Sequence, residues 1–188
     1  YDKVFKSEII TNLIKVLGCG VEVKSKANKG LATFDLSALR WNKVIICTDA
    51  DVDGFHIRTL ILTMIYRLMP TLINEGKVFI AESPLYEINC GDETWFAYTE
   101  KEKNDVIAEI GNKKYSIQRS KGLGENDADM MWLTTMNPQT RRLIKVEPND
   151  VEELIAEKFE LLLGDNLADR KEFIAENGHL YIDLADIS

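Results

Sequence analysis

The stretch Val44-Ile45-Ile46-Cys47-Thr48-Asp49-Ala50-Asp51-Val52-Asp53-Gly54 decides the fold. Its apolar, β-rich opening, Val44 to Cys47, shows no alternation and reads as a strand buried on both faces. From Phe55 to about Asn74 the apolar pattern turns helical, with Leu60 on its expected buried face and Pro70 kinking or splitting the helix. Lys77-Val78-Phe79-Ile80-Ala81 is a second apolar strand. Strand, helix and strand in this order form a βαβ unit, and therefore a parallel sheet with a right-handed crossover. The expected fold class is α/β: a parallel sheet flanked by helices, with a smaller α+β C-terminal region.

Upstream, Ile9, Leu13, Val16 and Leu17 recur at helical spacing, so residues 5–17 read as a helix stopped by Gly18. Lys24 to Thr33 is polar and contains glycine, which predicts a loop. Downstream, Leu85 to Asn89 and Thr94 to Tyr98 flank Cys90-Gly91-Asp92 and read as a β-hairpin. Glu100 to Ile110 predicts a helix and Lys114 to Arg119 a strand. The loop Lys121-Gly122-Leu123-Gly124-Glu125 follows. Residues 126–135, 149–163 and 168–177 are helical candidates. Asn149 or Asp150 is a plausible N-cap for the second, and Asn177-Gly178 closes the third. A composition shift near residue 112 divides the chain into expected domains 1–112 and 113–188.

Composition narrows the function classes. Of 188 residues, 45% are hydrophobic and 29% charged, a globular balance. No apolar run approaches the ~20 residues of a membrane span, and the N-terminus lacks the apolar core of a signal peptide. Cys19, Cys47 and Cys90 form no CxxC pair, so reduced thiols in a cytoplasmic protein are expected. The net charge of −8 is unevenly spread. Residues 1–45 hold eight Lys and Arg against four Asp and Glu, residues 46–145 twelve against fifteen, and residues 146–188 three against twelve. DNA, if bound, would meet the basic head and the middle rather than the acidic end.

The aspartates carry the chemistry. In an extended chain, residues i and i+2 point the same way, so Asp49 and Asp51 can project together from the strand's C-terminal end. That edge is where open α/β sheets place their sites. Neighbouring carboxylates repel unless a cation sits between them, and hard oxygen donors suit Mg²⁺. An EF-hand loop also opens D-x-D-x-D-G, but its twelfth position must be Glu, and here Leu60 stands there. A dehalogenase-type phosphatase also places D-x-D at a strand end. Its pattern has Thr or Val two residues after the second Asp, where this chain has Asp53. The plain alternative is an acidic turn that only caps the next helix.

Thr48 to Leu60 resembles the metal-binding segment of the TOPRIM domain in the B subunits of bacterial type II DNA topoisomerases, of the gyrase and topoisomerase IV kind. Ala81-Glu82-Ser83-Pro84-Leu85-Tyr86 is similar to that family's strand-and-turn segment, and Lys121 to Glu125 matches its Lys-Gly-Leu-Gly-Glu loop. Trp132 to Pro138 and Leu163-Gly164-Asp165 resemble its C-terminal region. The ordered set runs nearly end to end and is specific where a lone Gly-Leu-Gly would not be.

The resemblance implies part of an ATP-dependent enzyme that cleaves both strands of a duplex, passes another through, and reseals. A tyrosine of the partner A subunit would attack the phosphodiester while Mg²⁺, held by Asp49 and Asp51, sits beside the phosphate. Asp53 takes a supporting role. The family's Glu-Gly-Asp-Ser segment, whose glutamate completes the metal site, is expected upstream of Tyr1, as are the basic Pro-Leu-Arg-Gly-Lys segment and the ATPase region. The implied partners are the A subunit and double-stranded DNA. No complete catalytic set lies in this chain, which is expected to be inert alone.

Other residues keep two readings. His56 can hydrogen-bond a carboxylate or phosphate, or pack and cap the helix start. Arg58 can offset the carboxylate charge, or be an ordinary exposed helix arginine. Lys121 can contact a DNA phosphate, or be a solvated loop lysine. Glu125 can cap the following helix. Trp132 and Met136 stand four apart, as core or partner packing would place them. A TOPRIM-like primase or nuclease module is the alternative enzyme class. A scaffold that binds the A subunit through its acidic end is the non-catalytic one.

Overall fold

A computed structural model describes residues 2–24, 30–120, 122–148 and 152–184. The chain divides into two compact units, Tyr1–Val146 and Glu147–Ser188. The first begins with helices α1 (Asp2–Lys6) and α2 (Glu8–Leu17), separated at Ser7, where the backbone turns extended. The expected single helix over residues 5–17 is thus two. Gly18 ends α2 as expected: its φ of 85° is open to glycine, and its N–H bonds the Ile14 carbonyl.

Strand β1 (Val44–Ile46) leads through the aspartates into α3 (Val52–Leu68). Pro70 cannot continue that helix, and the chain restarts as the short α4 (Thr71–Asn74) before β2 (Val78–Ala81). β1 and β2 pair in parallel with Val44 opposite Val78, which is the βαβ unit read from the sequence. The hairpin is β3 (Tyr86–Cys90) and β4 (Glu93–Ala97). Helix α5 (Glu100–Ile110) starts at Thr99, whose hydroxyl accepts the Glu102 N–H. Strand β5 (Ser116–Arg119) then pairs antiparallel with β3, giving a second sheet in the order β4-β3-β5.

Beyond the loop, α6 (Ala128–Met131) widens into a π-helical turn over Trp132–Met136. β6 (Leu143–Lys145) had no sequence signal. It joins β2 antiparallel, so the first sheet runs β1-β2-β6 and is mixed rather than wholly parallel. Only three residues long and half exposed on an edge, it has too little apolar pattern to stand out. Arg142 ties the strand's start to α5: its Nη1 donates to Glu102 at 2.7 Å, and its guanidinium lies 3.9 Å from the Tyr98 ring centre.

The main core gathers Ile14 and Leu17 of α2, Ile46 of β1, Ile65 and Leu68 of α3, Leu72 of α4 and Val78 of β2. A smaller core under the second sheet holds Ile88, Ala97 and Ile110. One expected face is corrected. Leu60, expected to be buried on the crossover helix, is 50% exposed, and Ile65 is the residue that points inward. α3 is apolar on more than one side, so spacing alone did not pick its inward face. In α2, Ile14 and Leu17 are buried, while Ile9 and Val16 at the flanks of its apolar face are exposed.

The second unit pairs α7 (Glu152–Leu163) with α8 (Leu167–Asn177). Asn166 caps α8, its side chain accepting the N–H groups of Ala168 and Asp169. The expected caps of α7, Asn149 and Asp150, lie outside the described residues. α8 ends at Asn177 with Gly178 as its C-cap, as expected, but not in a left-handed turn: Gly178 has a φ of −59°, and the chain continues into a 3-10 helix over Gly178–Leu184. Among the described residues, no helix is long and apolar enough to cross a membrane.

Candidate metal centre

The C-terminal end of β1 lies on the parallel side of the first sheet, and the chain leaves it toward α3 through residues 47–51. Asp51 is the N-cap of α3: its backbone is still extended, and its Oδ1 accepts the Gly54 N–H at 2.7 Å. Its carbonyl takes the Phe55 N–H, the first turn of the helix. The capping alternative for this turn is therefore real for Asp51. It fixes the side chain without consuming both carboxylate oxygens, so capping and metal holding do not exclude each other.

Asp49 has a different anchor. Half-buried, it accepts the backbone N–H of Leu123 on Oδ1 at 2.7 Å, across 74 residues of sequence. That donor belongs to the Gly-containing loop singled out in the sequence. A Cβ on Gly122 would lie 3.5 Å from Asp49 Oδ2, so the loop backbone rides against the carboxylate. Packing between Asp49 and the helix start is tighter. A Cβ on Gly54 would sit 2.1 Å from the Asp49 carbonyl oxygen, so only glycine fits there.

Asp53 and His56 lie on the first turns of α3, both exposed. Arg58 is partly buried, with its guanidinium 4.7 Å from the Phe55 ring centre. Burial pulls its pKa down, and the Glu82 carboxylate pushes it back up. Its identified neighbours are therefore a ring and Glu82. Lys121 lies outside the described residues, as does the side chain of Glu125. Cys47, at the strand's end, has its thiol pushed up chiefly by burial, which keeps it protonated at neutral pH. Trp132 and Met136 are 55% and 57% exposed, so the pair is not part of the core.

Asp49 and Asp51 are hard carboxylates in the segment between β1 and α3, each held by a main-chain N–H. Mg²⁺ is commonly bound by one or two carboxylates, with water and substrate phosphate completing its shell, and these are the residues that could supply them. Among the described residues no group of three or more His, Cys, Asp or Glu is gathered tightly enough to hold a metal ion. The Leu123 amide escaped sequence reading. The loop motif pointed to its neighbourhood, but a main-chain donor leaves no mark on residue identity.

Two family models match the stretches of this chain that contain the aspartates and the loop. Residues 3–83 match the model of the Toprim domain, and residues 112–175 match that of the DNA gyrase B subunit, carboxyl terminus. The DNA gyrase B subunit of Clostridium acetobutylicum is 45% identical over 187 residues, which cover 97% of this chain and 28% of that protein. The gyrase B subunit of Thermus thermophilus is 43% identical over 175 residues, covering 93% of this chain and 27% of its own length. That of Thermotoga maritima is 43% identical over 174 residues, at 92% and 26%. The chain thus spans about a quarter of the length of the curated relatives it matches.

Proposed function

This chain belongs to the Toprim and DNA gyrase B families, and on that premise we propose that it is the metal-holding part of a type II DNA topoisomerase B subunit. The observation that carries the reading is the pair of carboxylates at the end of β1, each oriented by a backbone N–H: Asp51 by Gly54 and Asp49 by Leu123. In the whole enzyme, the reaction is double-strand cleavage and religation of DNA by a tyrosine of the A subunit, coupled to ATP hydrolysis elsewhere in the B subunit. The enzyme works in the cytoplasm, and this chain alone is inert.

Asp49 and Asp51 would hold Mg²⁺. Bound there, the ion would supply charge neutralisation on the reacting phosphate and stabilisation of the departing 3′-oxygen. The protein's own contribution is rigidity. Asp51 cannot swing without uncapping α3, and Asp49 cannot swing without releasing the loop at Leu123. Asp53 adds negative potential from the first turn of α3. His56 on that helix is within the same acidic segment and supports it. Arg58 and Lys121 are the candidates for contact with DNA phosphates. Residues 1–112 form the metal-holding part and residues 113–188 the carboxyl-terminal part, whose acidic end, residues 146–188, docks to the A subunit. The match of residues 112–175 to the gyrase B carboxyl terminus favours this reading over a primase or nuclease module.

The test is Asp49→Asn or Asp51→Asn in the full-length B subunit, assembled with its A subunit. Each change keeps the shape and removes one ligand charge. Mg²⁺-dependent DNA cleavage should be lost while ATP hydrolysis persists. Near-normal supercoiling by either variant would contradict the assignment.

A further inference from the structure

We propose that the main-chain amide of Leu123 is a positioning group for Asp49, so that the loop over residues 122–126 sets how well the end of β1 holds its cation. The inference rests on the reading of Asp49 as a ligand and adds to it a group that no residue identity reveals.

The Leu123 N–H meets Asp49 Oδ1 at 2.7 Å, the length of a charge-assisted hydrogen bond. Leu123 opens the 3-10 turn Leu123–Glu125, and Gly122 before it is extended, with φ −144° and ψ 158°. The first N–H of a helical turn has no partner within the turn, so this one is available to a carboxylate without disturbing the loop. The loop is itself anchored on both sides. The Ser120 N–H donates to the Leu85 carbonyl, ahead of β3. The Ser120 hydroxyl and the Asn126 amide oxygen are 3.0 Å apart, and Asn126 Nδ2 reaches Met131 Sδ at the end of α6. The donor is therefore held by elements beyond the sheet that carries the acceptor. Outer hydrogen bonds of this kind fix the orientation of a metal-ligating side chain, and their loss typically weakens metal affinity by about 10–100-fold.

The backbone offers a deletion of the donor. Leu123→Pro removes the N–H and sets the ring Cδ in its place against Asp49 Oδ1, so it breaks the bond from both sides; the first helical position suits proline, and Gly122 already has the extended conformation that a residue before proline requires. Leu123→Ala changes the side chain and keeps the donor. In the full-length B subunit assembled with the A subunit, the quantity to read is the Mg²⁺ concentration for half-maximal DNA cleavage, with maximal cleavage measured separately at saturating Mg²⁺. Leu123→Pro should raise that concentration about tenfold or more, with cleavage recovering as Mg²⁺ is raised. Leu123→Ala should shift it far less.

Equal shifts in the two variants, or none in Leu123→Pro, would overturn the inference and leave the Asp49 assignment standing. Undiminished cleavage by Asp49→Asn would overturn both. A second readout needs no activity. In this chain, amide hydrogen exchange at Leu123 should accelerate about tenfold or more in Asp49→Ala, because the acceptor protecting that N–H is gone. An unchanged exchange rate there would also overturn the inference, whether or not Leu123→Pro folds.

Discussion

Asp51 has two duties that substitution can separate. As the N-cap of α3 it needs only a side-chain acceptor for the Gly54 N–H. As a metal ligand it needs its charge. Asn caps about as well as Asp, whereas Ala at an N-cap costs about 1 kcal/mol. Asp51→Asn should therefore leave the urea midpoint of unfolding close to that of the unaltered protein, while Asp51→Ala should lower the midpoint, for a loss of about 1 kcal/mol of stability. Equal losses in both would mean that the charge, not the cap, stabilises the helix start. At this scale, Asp49, Asp51 and Asp53 stand out in the sequence because three carboxylates follow an apolar run, but the strand alternation expected of them is not there: β1 ends at Ile46, Asp51 caps α3 and Asp53 lies on it. Leu123 does not stand out, because its contribution is a main-chain N–H brought in from 74 residues away.

Among the elements, α3 shows where periodicity runs out. The βαβ unit was legible because Val44–Ile46 and Val78–Ala81 are apolar runs separated by a helical pattern. Which side of α3 faces the core was not, because the helix carries apolar residues around most of its circumference. Ile65 is 1% exposed and Leu60 is 50% exposed. Ile65→Ala should cost about 2–5 kcal/mol through the cavity it leaves. Leu60→Ala should cost about 1 kcal/mol or less, in line with a surface position. Denaturant titration of the two variants checks the pair, and a larger loss at Leu60 would place the core on the opposite face. β6 was invisible for a different reason. Its pairing with β2 comes from a long-range contact, and an edge strand of three residues has no pattern of its own.

Across the whole molecule, charge separates the acidic end from the basic head. Residues 146–188 hold three Lys and Arg against twelve Asp and Glu. A duplex carries one negative charge per ~1.7 Å of axis, so this end repels it. Leu154, Leu167 and Ile174 are nevertheless exposed on the helices of that unit, which suits docking to protein. Removing residues 146–188 from the full-length B subunit should not weaken DNA affinity measured with the A subunit in excess. A marked loss under those conditions would assign the acidic end to DNA after all.

The metal assignment itself is tested most directly by locating a divalent ion on this chain, without any assay of turnover. Two carboxylates without phosphate make a weak site, so the ion must be supplied at millimolar concentration. Mn²⁺ serves as a paramagnetic stand-in for Mg²⁺, and the observable is the broadening of backbone amide signals as it is titrated in. Signals of residues 49–54 and 122–124 should broaden first, and the Asp49→Asn, Asp51→Asn double variant should lose that effect while keeping its folded spectrum. Broadening confined to the acidic helices over residues 152–177, or broadening at residues 49–54 that survives the double substitution, would contradict the assignment of Asp49 and Asp51 as the metal-holding pair.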